Sequence, residues 1–328
     1  MENARVTRRK MLAVTGATSI ASLFGTKSVI AAPPAANEQS EAYRLVVLAA
    51  NPVAYWRLGE MAGATAAVDE TPNKHDGKYL GRPKFEAQGA IKGDPNGAVF
   101  LDGQSYVEIP DDPDFSQPTS GSGLTVEVWL RPDKLDFAEK ASLKYVHWLG
   151  KGEAGQTEWA FRFYTRGDAK RSNRISAYLW NPDGKLGAGA YFQDKLAAGK
   201  WLHVVACFEP GDASVKQRPP GVQIFKNGEF RKGPPSKGTL YNNPPEWSIM
   251  PAHGTSPVRL GTRDRKSFLI GGLDEVAIYP RVLAAEEIRL HYEIGVGERK
   301  LSPAELANPQ TLRARDGQQQ HDGKKRQK

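Results

Sequence analysis

The stretch Leu124-Thr125-Val126-Glu127-Val128-Trp129-Leu130-Arg131 alternates two kinds of side chain with a period of two. Leu124, Val126, Val128 and Leu130 are all aliphatic, whereas the residues between them are polar or aromatic. Successive side chains of a β-strand point to opposite faces, so this alternation is typical of a strand with one face on a core. The sequence therefore predicts a β-strand over residues 124–131.

Similar short segments follow along the chain, separated by turns rich in Gly, Asn, Asp and Pro. We expect a strand pair around Asp102-Gly103 within residues 98–109, and a hairpin turn at Asn227-Gly228, because Asn-Gly is the strongest short-range hairpin signal. Short helices are expected at residues 38–50 and 284–292. The other predicted strands are residues 145–149, 159–165, 174–180, 188–192, 201–208, 222–231, 258–262 and 273–279. This pattern predicts an all-β fold, a two-sheet antiparallel jelly-roll sandwich with short flanking helices.

The N-terminus has the layout of an export signal. Thr7-Arg8-Arg9-Lys10-Met11-Leu12 contains a twin arginine, and an uncharged, moderately apolar run and small residues follow it. This is typical of a twin-arginine signal peptide, with an ordinary Sec signal or an uncleaved anchor as the alternative. We interpret residues 1–36 as the signal, 37–300 as one domain and 301–328 as a disordered charged tail. The expected location is the periplasm, the cell surface or the extracellular space.

The net charge of +8 is concentrated at the two ends of the 328-residue chain. Residues 1–36 carry five Lys and Arg against one Glu, and residues 301–328 carry six against three acidic residues, which leaves the domain at +1. A basic stripe suited to phosphates is therefore not expected, and nucleic acid is excluded as a partner. We expect no stable membrane insertion after signal cleavage. The single cysteine, Cys207, excludes an intrachain disulfide bond and is expected to be buried and inert.

Three stretches together resemble the laminin-G-like jelly-roll domains of the concanavalin A-like lectin/glucanase superfamily. They are residues 48–60 around Tyr55-Trp56-Arg57-Leu58-Gly59-Glu60, the segment Thr125-Val126-Glu127-Val128-Trp129, and Gly272-Leu273-Asp274-Glu275-Val276-Ala277-Ile278-Tyr279. The resemblance covers about residues 43–296. It implies a domain that binds carbohydrate or a surface protein partner, often with bound calcium, and it implies the fold more strongly than the function.

The sequence lacks the glucanase motif of this superfamily and two other common hydrolase motifs. Glucanases of this superfamily carry a Glu-x-Asp-x-x-Glu strand, which places three carboxylates on one face, and no segment here has that spacing. Glu127 lies alone on its strand face. His-Glu-x-x-His and Gly-x-Ser-x-Gly are also missing. We therefore predict that the chain is not an enzyme.

A structural calcium ion is the predicted cofactor. Residues 68–77 form an oxygen-rich loop that is similar to the loop after the first strand in the family. Asp274 alternates with Val276 and Ile278, so it is expected to face the core, where a carboxylate needs hydrogen bonds or a cation. Asp69, Asn73 and Asp274 are the predicted ligands. The alternative is a turn capped by Asp and Asn, with a hydrogen-bonded Asp274.

Aromatic rings on a concave face or rim are the candidates for sugar binding, because a ring covers the C–H face of a sugar. Trp56 and Trp129 are expected in the core. The predicted ligand-binding residues are Trp159, Trp180, Asn181, Asp183, Tyr191 and Trp247. The sequence thus predicts an exported, non-catalytic module that binds a glycan or a surface protein. A scaffolding domain of an envelope assembly that binds no sugar is the alternative, and a divergent glycoside hydrolase or lyase is a weaker one.

Overall fold

A computed structural model describes residues 40–86, 88–116, 123–136, 144–153, 156–168, 170–180, 187–209, 221–230 and 253–312. The predicted signal, most of the predicted tail, and Asn181, Asp183 and Trp247 lie outside these residues. The described helices are α1 (Ala42–Ala49), α2 (Ala285–Gly295) and α3 (Pro303–Ala307). Both helices that the sequence predicts are thus present. No helix among the described residues is long and apolar enough to cross a membrane.

The first antiparallel sheet has eight strands in the described part of the chain. Its strands run in the order β14-β13-β12-β7-β16-β5-β4, and β1 pairs with the second half of β16. The bounds are β1 (Ala54–Trp56), β4 (Lys84–Glu86), β5 (Ala98–Asp102), β7 (Leu124–Pro132), β12 (Leu202–Glu209), β13 (Gly221–Lys226), β14 (Glu229–Phe230) and β16 (Ile270–Tyr279). β12 lies between β7 and β13, as the apolar character of both its faces predicts.

The second sheet also has eight described strands, in the order β11-β10-β9-β8-β15-β6-β3-β2. Its bounds are β2 (Ala66–Ala67), β3 (Gly77–Leu80), β6 (Tyr106–Ile109), β8 (Tyr145–Lys151), β9 (Trp159–Tyr164), β10 (Ile175–Trp180), β11 (Gly187–Tyr191) and β15 (Val258–Leu260). All described neighbours pair antiparallel. The predicted two-sheet sandwich is confirmed.

The main core lies between the two sheets. Val126 and Val128 of β7 contribute to it from one side, and Phe161 and Phe163 of β9 from the other, all without exposed surface. These are every-second-residue positions, so the alternation in the sequence determines which residues enter the core.

The predicted strand pair around Asp102-Gly103 is present as two strands, but they belong to different sheets. β5 ends at Asp102 in the first sheet and β6 begins at Tyr106 in the second. The Asp102 carboxylate accepts hydrogen bonds from the backbone N–H groups of Gln104 and Ser105 at 2.9 and 2.8 Å. This turn therefore carries the chain from one sheet to the other rather than closing a hairpin.

Helices α1 and α2 pack on the outer face of the first sheet and form a second apolar cluster. Tyr43 and Val47 of α1 and Ile288 and Ile294 of α2 are buried there, together with Trp129 of β7. Trp129 and Trp56 are both buried, as predicted.

Residues 301–312, the first part of the predicted tail, extend this second cluster. Leu301, Leu306 and Leu312 are buried in it, and Ser302 and Glu305 cap α3 through reciprocal hydrogen bonds between side chain and backbone. The described part of the domain therefore continues beyond residue 300, because three leucines at a spacing of five or six residues reach the same apolar surface.

Candidate functional site

Strands β8, β9 and β10 place polar and aromatic side chains on the outer face of the second sheet. In β9, Trp159, Phe161 and Phe163 point into the core, so Arg162 and Tyr164 between them point outward. The pairing register sets Arg162 opposite His147 of β8 and Ser176 of β10, and Ser176 opposite Tyr191 of β11. Residues paired in this way share a face of the sheet, so one continuous surface results.

Arg162 lies at the centre of this surface, among four aromatic rings. Its guanidinium carbon is 4.2 Å from the ring centroid of Tyr178 and 4.6 Å from that of Tyr145. The rings of Tyr164 and Trp180 follow at 5.4 and 5.8 Å. A cation within about 6 Å of a ring centroid is attracted by the quadrupole of the ring. The rings thus stabilise a positive charge on an otherwise aromatic surface.

Two further arginines lie at the margin of the surface. The Arg263 guanidinium is 5.0 Å from the Trp180 ring, and that of Arg171 is 4.4 Å from the Tyr164 ring. We call the whole set the aromatic–arginine patch. It comprises Tyr145, His147, Arg162, Tyr164, Arg171, Tyr178, Trp180, Tyr191 and Arg263.

His147 is a buried, neutral member of the patch. Burial lowers the pKa of its imidazole well below the usual value, and the charges of Arg263 and Arg162 lower it further. Its Nε2 atom is buried and has no hydrogen-bond partner among the residues that the structure describes. A neutral imidazole beside two guanidinium groups indicates a positive local potential.

The patch presents only some of its rings to solvent. Tyr145 is 36% exposed, and Trp180 and Tyr191 are partly exposed, whereas Arg162 and Tyr178 are buried beside them. The exposed rings can therefore contact a ligand directly. The positive charge of Arg162 lies beneath them, next to the buried ring of Tyr178.

Two of the predicted ligand-binding residues, Trp180 and Tyr191, lie in the patch. Trp159 does not, which corrects the prediction for it. Its ring is fully buried between the sheets, and its Nε1 donates a hydrogen bond of 2.8 Å to the carbonyl of Phe115. Trp159 lies two residues before Phe161 in β9. Every second residue of a strand points to the same face, so Trp159 enters the core together with Phe161 and Phe163.

Sequence reasoning missed Arg162, His147 and Tyr145. The available signal was Arg162 itself, a charged residue inside the apolar run Trp159–Tyr164. A charge in such a run marks the face that points away from the core. The convergence of Arg162 with the rings of β8 and β10 depends on pairing register, which the sequence does not specify.

The predicted metal ligand Asp69 organises its own loop. One carboxylate oxygen accepts hydrogen bonds from the backbone of Tyr55 and Thr71, each at 2.9 Å. The other accepts from the Thr71 hydroxyl at 2.8 Å and the His75 backbone at 2.9 Å. Asn73 donates its side-chain amide to the carbonyl of Val53 at 2.8 Å. These contacts match the alternative in which Asp and Asn cap a turn.

Asp274 lies elsewhere, and its orientation differs from the predicted one. The register of β16 shifts between Asp274 and Ala277, and Asp274 pairs with Trp129, on the outer face of the first sheet. Val276 and Ile278 belong to the inner core. Counting every second residue back from Val276 assigns Asp274 to the wrong face, because a β-bulge inserts one extra residue between them.

Asp274 has one carboxylate oxygen without a described partner. The other oxygen accepts a hydrogen bond from the Ala90 backbone at 2.6 Å, whereas this one is buried and has no partner among the described residues. A Cβ on Gly89 would touch Asp274 Oδ2 and lie 2.9 and 3.0 Å from the carbonyl oxygens of Gly97 and Asn96. Both carbonyl oxygens already accept hydrogen bonds, from Asn96 Nδ2 at 3.0 Å and from Gly89 N–H at 3.2 Å. The second Asp274 oxygen is therefore the atom here that is available to a cation such as Ca²⁺.

Glu127 is the one carboxylate on its strand face, as the sequence indicates, and its hydrogen-bond partners come from other elements. It is fully buried and accepts hydrogen bonds from the hydroxyls of Tyr43 and Tyr279 at 3.1 and 2.6 Å. His203 Nε2 lies 2.7 Å and His291 Nδ1 3.0 Å from its carboxylate oxygens. The two histidines come from β12 and α2, far away in sequence, so the network is a product of tertiary structure and joins the helices to the sheet.

Two packed antiparallel sheets of eight described strands each define an all-β, jelly-roll class of domain. A laminin G family model, described as "Concanavalin A-like lectin/glucanases superfamily", matches residues 101–289, more than half of the sequence. The chain belongs to this family. None of the curated proteins matches the sequence.

Several solved structures are similar to this chain. One is domain 4 of AbnA, a GH43 extracellular arabinanase from Geobacillus stearothermophilus, solved in complex with arabinotriose. It is 16% identical to this chain with a TM-score of 0.46, and the match covers 74% of this chain and 98% of that domain. The botulinum neurotoxin serotype D ligand binding domain in complex with N-acetylneuraminic acid is 12% identical with a TM-score of 0.48, covering 77% and 52%. The type G receptor binding domain is 14% identical with a TM-score of 0.46, covering 74% and 51%. The chain spans about half the length of the two neurotoxin structures.

Proposed function

We propose that this chain is an exported, non-catalytic binding module that holds a glycan against the aromatic–arginine patch. One observation carries the proposal: Arg162 is held among four rings, next to partly exposed Trp180 and Tyr191. Exposed rings cover the C–H faces of sugars, and nearby polar groups bind the hydroxyls. An outer sheet face built in this way suits an extended saccharide.

The charge of the patch favours an acidic glycan. Arg162, Arg171 and Arg263 bring three guanidinium groups to one surface. Asp168 pairs with Arg171 and Asp264 pairs with Arg263, so the net charge of these five groups is +1. Arginine binds carboxylate and sulfate groups through its planar fork of N–H donors. A sugar that carries a carboxylate or sulfate group gains affinity from the positive potential as well as from the rings. A neutral sugar gains affinity only from the rings.

The carboxylates nearest the patch support a role without catalysis. Among the described residues, Asp168 and Asp264 border it, and each pairs with an arginine, at 2.8 and 2.7 Å. Retaining glycoside hydrolysis needs two carboxyl groups about 5 Å apart, facing one glycosidic bond. Carboxylates paired with arginine at the margin do not have this arrangement.

The test is binding of the purified chain to a panel of acidic and neutral polysaccharides, measured by calorimetry. We expect binding to acidic polysaccharides, weakened at least tenfold by Trp180→Ala or by Tyr191→Ala, which corresponds to about 1.4 kcal/mol. Trp247→Ala tests the remaining predicted tryptophan in the same assay. Phe230→Ala is the matched control, because Phe230 is an exposed aromatic residue on the first sheet.

Unchanged affinity in the Trp180 and Tyr191 variants would remove the patch as the binding site. Absence of binding to any polysaccharide, together with stable capture of an envelope protein, would favour the scaffolding alternative. Release of reducing ends from a polysaccharide by the pure protein would overturn the non-catalytic assignment.

A further inference from the structure

We propose that His75, Asp112 and Asp114 form a second metal site, one that binds a divalent transition-metal ion such as Zn²⁺. One donor atom from each of these residues lies within 4.8 Å of the other two. Among the described residues, no other group of three or more His, Cys, Asp and Glu side chains converges in this way. The proposal does not depend on the glycan site, because the two share no residue.

The backbone of His75 is held on both sides. Its N–H donates to the Asp69 carboxylate at 2.9 Å, and its carbonyl accepts a hydrogen bond of 2.8 Å from the indole of Trp56. Both partners are fully buried. The loop that Asp69 organises therefore presents the imidazole from a rigid position.

The two aspartates are positioned by a short 3₁₀ turn at Pro113–Phe115. One oxygen of Asp112 accepts a hydrogen bond of 2.9 Å from the backbone N–H of Asp114 and so caps the turn. Phe115 is fully buried, and the His75 ring contacts its ring edge to face at 4.8 Å between centroids. This aromatic contact sets the imidazole next to the turn that carries both carboxylates.

One ring nitrogen of His75 has no hydrogen-bond partner within the described part of the chain. This atom, Nε2, is buried, whereas the Asp112 carboxylate accepts the hydrogen bond from Asp114 N–H that caps the turn. Buried polar atoms in folded proteins nearly always have a partner, so this nitrogen is available to a ligand. Two carboxylates with oxygens within 4.8 Å of an imidazole nitrogen favour a cation as that ligand.

The donor set selects the class of metal. Ca²⁺ and Mg²⁺ prefer oxygen donors alone, whereas one imidazole with two carboxylates suits Zn²⁺ and its neighbours. Ligands around tetrahedral Zn²⁺ lie roughly 3.4 Å apart, given bond lengths of about 2.1 Å. Asp114 is exposed, so its side chain can move by the order of 1 Å needed to close the site.

Solvent reaches the neighbourhood of the cluster. An open groove of about 640 Å³ is lined in part by Asp76 and Asp111, the sequence neighbours of His75 and Asp112. Three protein ligands leave at least one coordination position for water. Asp114 is exposed, and His75 and Asp112 are partly exposed, so a metal ion can enter and exchange in the folded protein.

The test is calorimetric titration of the full chain with ZnCl₂, without a polyhistidine tag and after treatment with a chelator. We expect one high-affinity ion per chain, with binding weakened at least tenfold in His75→Gln and in Asp114→Asn. Exposed Asp114 makes no hydrogen bond through its carboxylate to a described residue, so this variant is expected to fold normally, which circular dichroism checks. Visible absorption of the Co²⁺-substituted protein reports whether a nitrogen ligand is lost in His75→Gln.

The matched controls are His253→Gln and Asp133→Asn, both at exposed positions, and Asp274→Asn, which alters a predicted calcium ligand. Each is expected to bind Zn²⁺ like the parent chain. Failure of the parent chain to bind one Zn²⁺, or equal binding by the parent, His75→Gln and Asp114→Asn proteins, would overturn the proposal. Neither result bears on glycan binding by the patch, which the Trp180→Ala and Tyr191→Ala variants test separately.

Discussion

At the scale of the residue, Glu275 lies at the β-bulge that determines which face of β16 Asp274 occupies. It has a positive φ of 50° at the bulge of β16, a conformation that is uncommon for residues other than glycine. Its carboxylate is buried, bonded to Arg57 Nε at 3.1 Å and to the Tyr55 hydroxyl. Burial raises its pKa to about 7, although Arg57 and Tyr55 lower it. The bulge thus places two acidic residues, Asp274 and Glu275, under the surface within one strand.

Calcium binding at Asp274 is the prediction at this scale. We expect millimolar Ca²⁺ to raise the melting temperature of the parent chain but not of Asp274→Asn, because the variant lacks the buried carboxylate whose second oxygen has no partner among the described residues. An ion present at a hundredfold over its Kd adds about 2.7 kcal/mol of stability. Thermal denaturation with and without a chelator measures the difference.

Asp133→Asn is the control, since Asp133 is exposed and pairs with Arg131 on the surface. Equal responses to Ca²⁺ in the parent and in Asp274→Asn would remove Asp274 from the metal site.

At the scale of elements, the Glu127 network joins β7, β12 and β16 to α1 and α2. The burial of Glu127 raises its pKa, but His291 and His203 outweigh this effect and hold the pKa well below its usual 4.5. Burial likewise lowers the pKa of His291, but Glu127 outweighs it and holds that pKa above 6.5. The carboxylate and the imidazolium therefore stabilise each other inside the fold.

The pH dependence of stability follows from these two shifts. The Glu127 contribution is present above about pH 4.5 and is lost as the pH falls through the lowered pKa. The His291 contribution is complete below about pH 6.5 and is lost as the pH rises through the raised pKa. The ion pair therefore stabilises the fold most between these two values.

Glu127→Gln is expected to destabilise the domain by about 3 kcal/mol, because an amide N–H₂ would face the hydroxyl and imidazole donors that now bond to the carboxylate. The loss is expected to be greatest near pH 5.5 and smaller at pH 8. Urea denaturation at both pH values measures it. Glu86→Gln, at an exposed position of β4, is the control, and a loss that does not change with pH would argue against the ion pair.

At the scale of the whole molecule, the prediction concerns export, which we expect to depend on the first 36 residues and not on the sandwich. Lysine keeps the charge of arginine but not its planar fork. We expect Arg8→Lys combined with Arg9→Lys to reduce export at least tenfold in a bacterium with an active twin-arginine translocase. Cell fractionation and immunoblotting measure the distribution of the protein.

Lys27→Arg is the matched control for this experiment and is expected to be exported normally. Normal export of the double lysine variant would favour the Sec signal, and a full-length protein retained in the membrane would favour the uncleaved anchor.

The sequence by itself determined the elements and the faces of most strands. Val126 and Val128 enter the core, and Asn227-Gly228 forms the turn between β13 and β14. These features are local, because a period of two follows from strand geometry and a positive φ at a turn follows from Asn and Gly. The family resemblance rests on the same local patterns.

Only the tertiary structure decided which outward side chains meet. Arg162 reaches the rings of Tyr145 and Tyr178 because β9 lies between β8 and β10 in one register. The bulge of β16 moves Asp274 away from the face that alternation assigns to it, and His75 meets Asp112 across 37 residues through the buried ring of Phe115. Each of these groupings depends on contacts between segments far apart in the chain, and the pattern within any one segment contains no information about its partner.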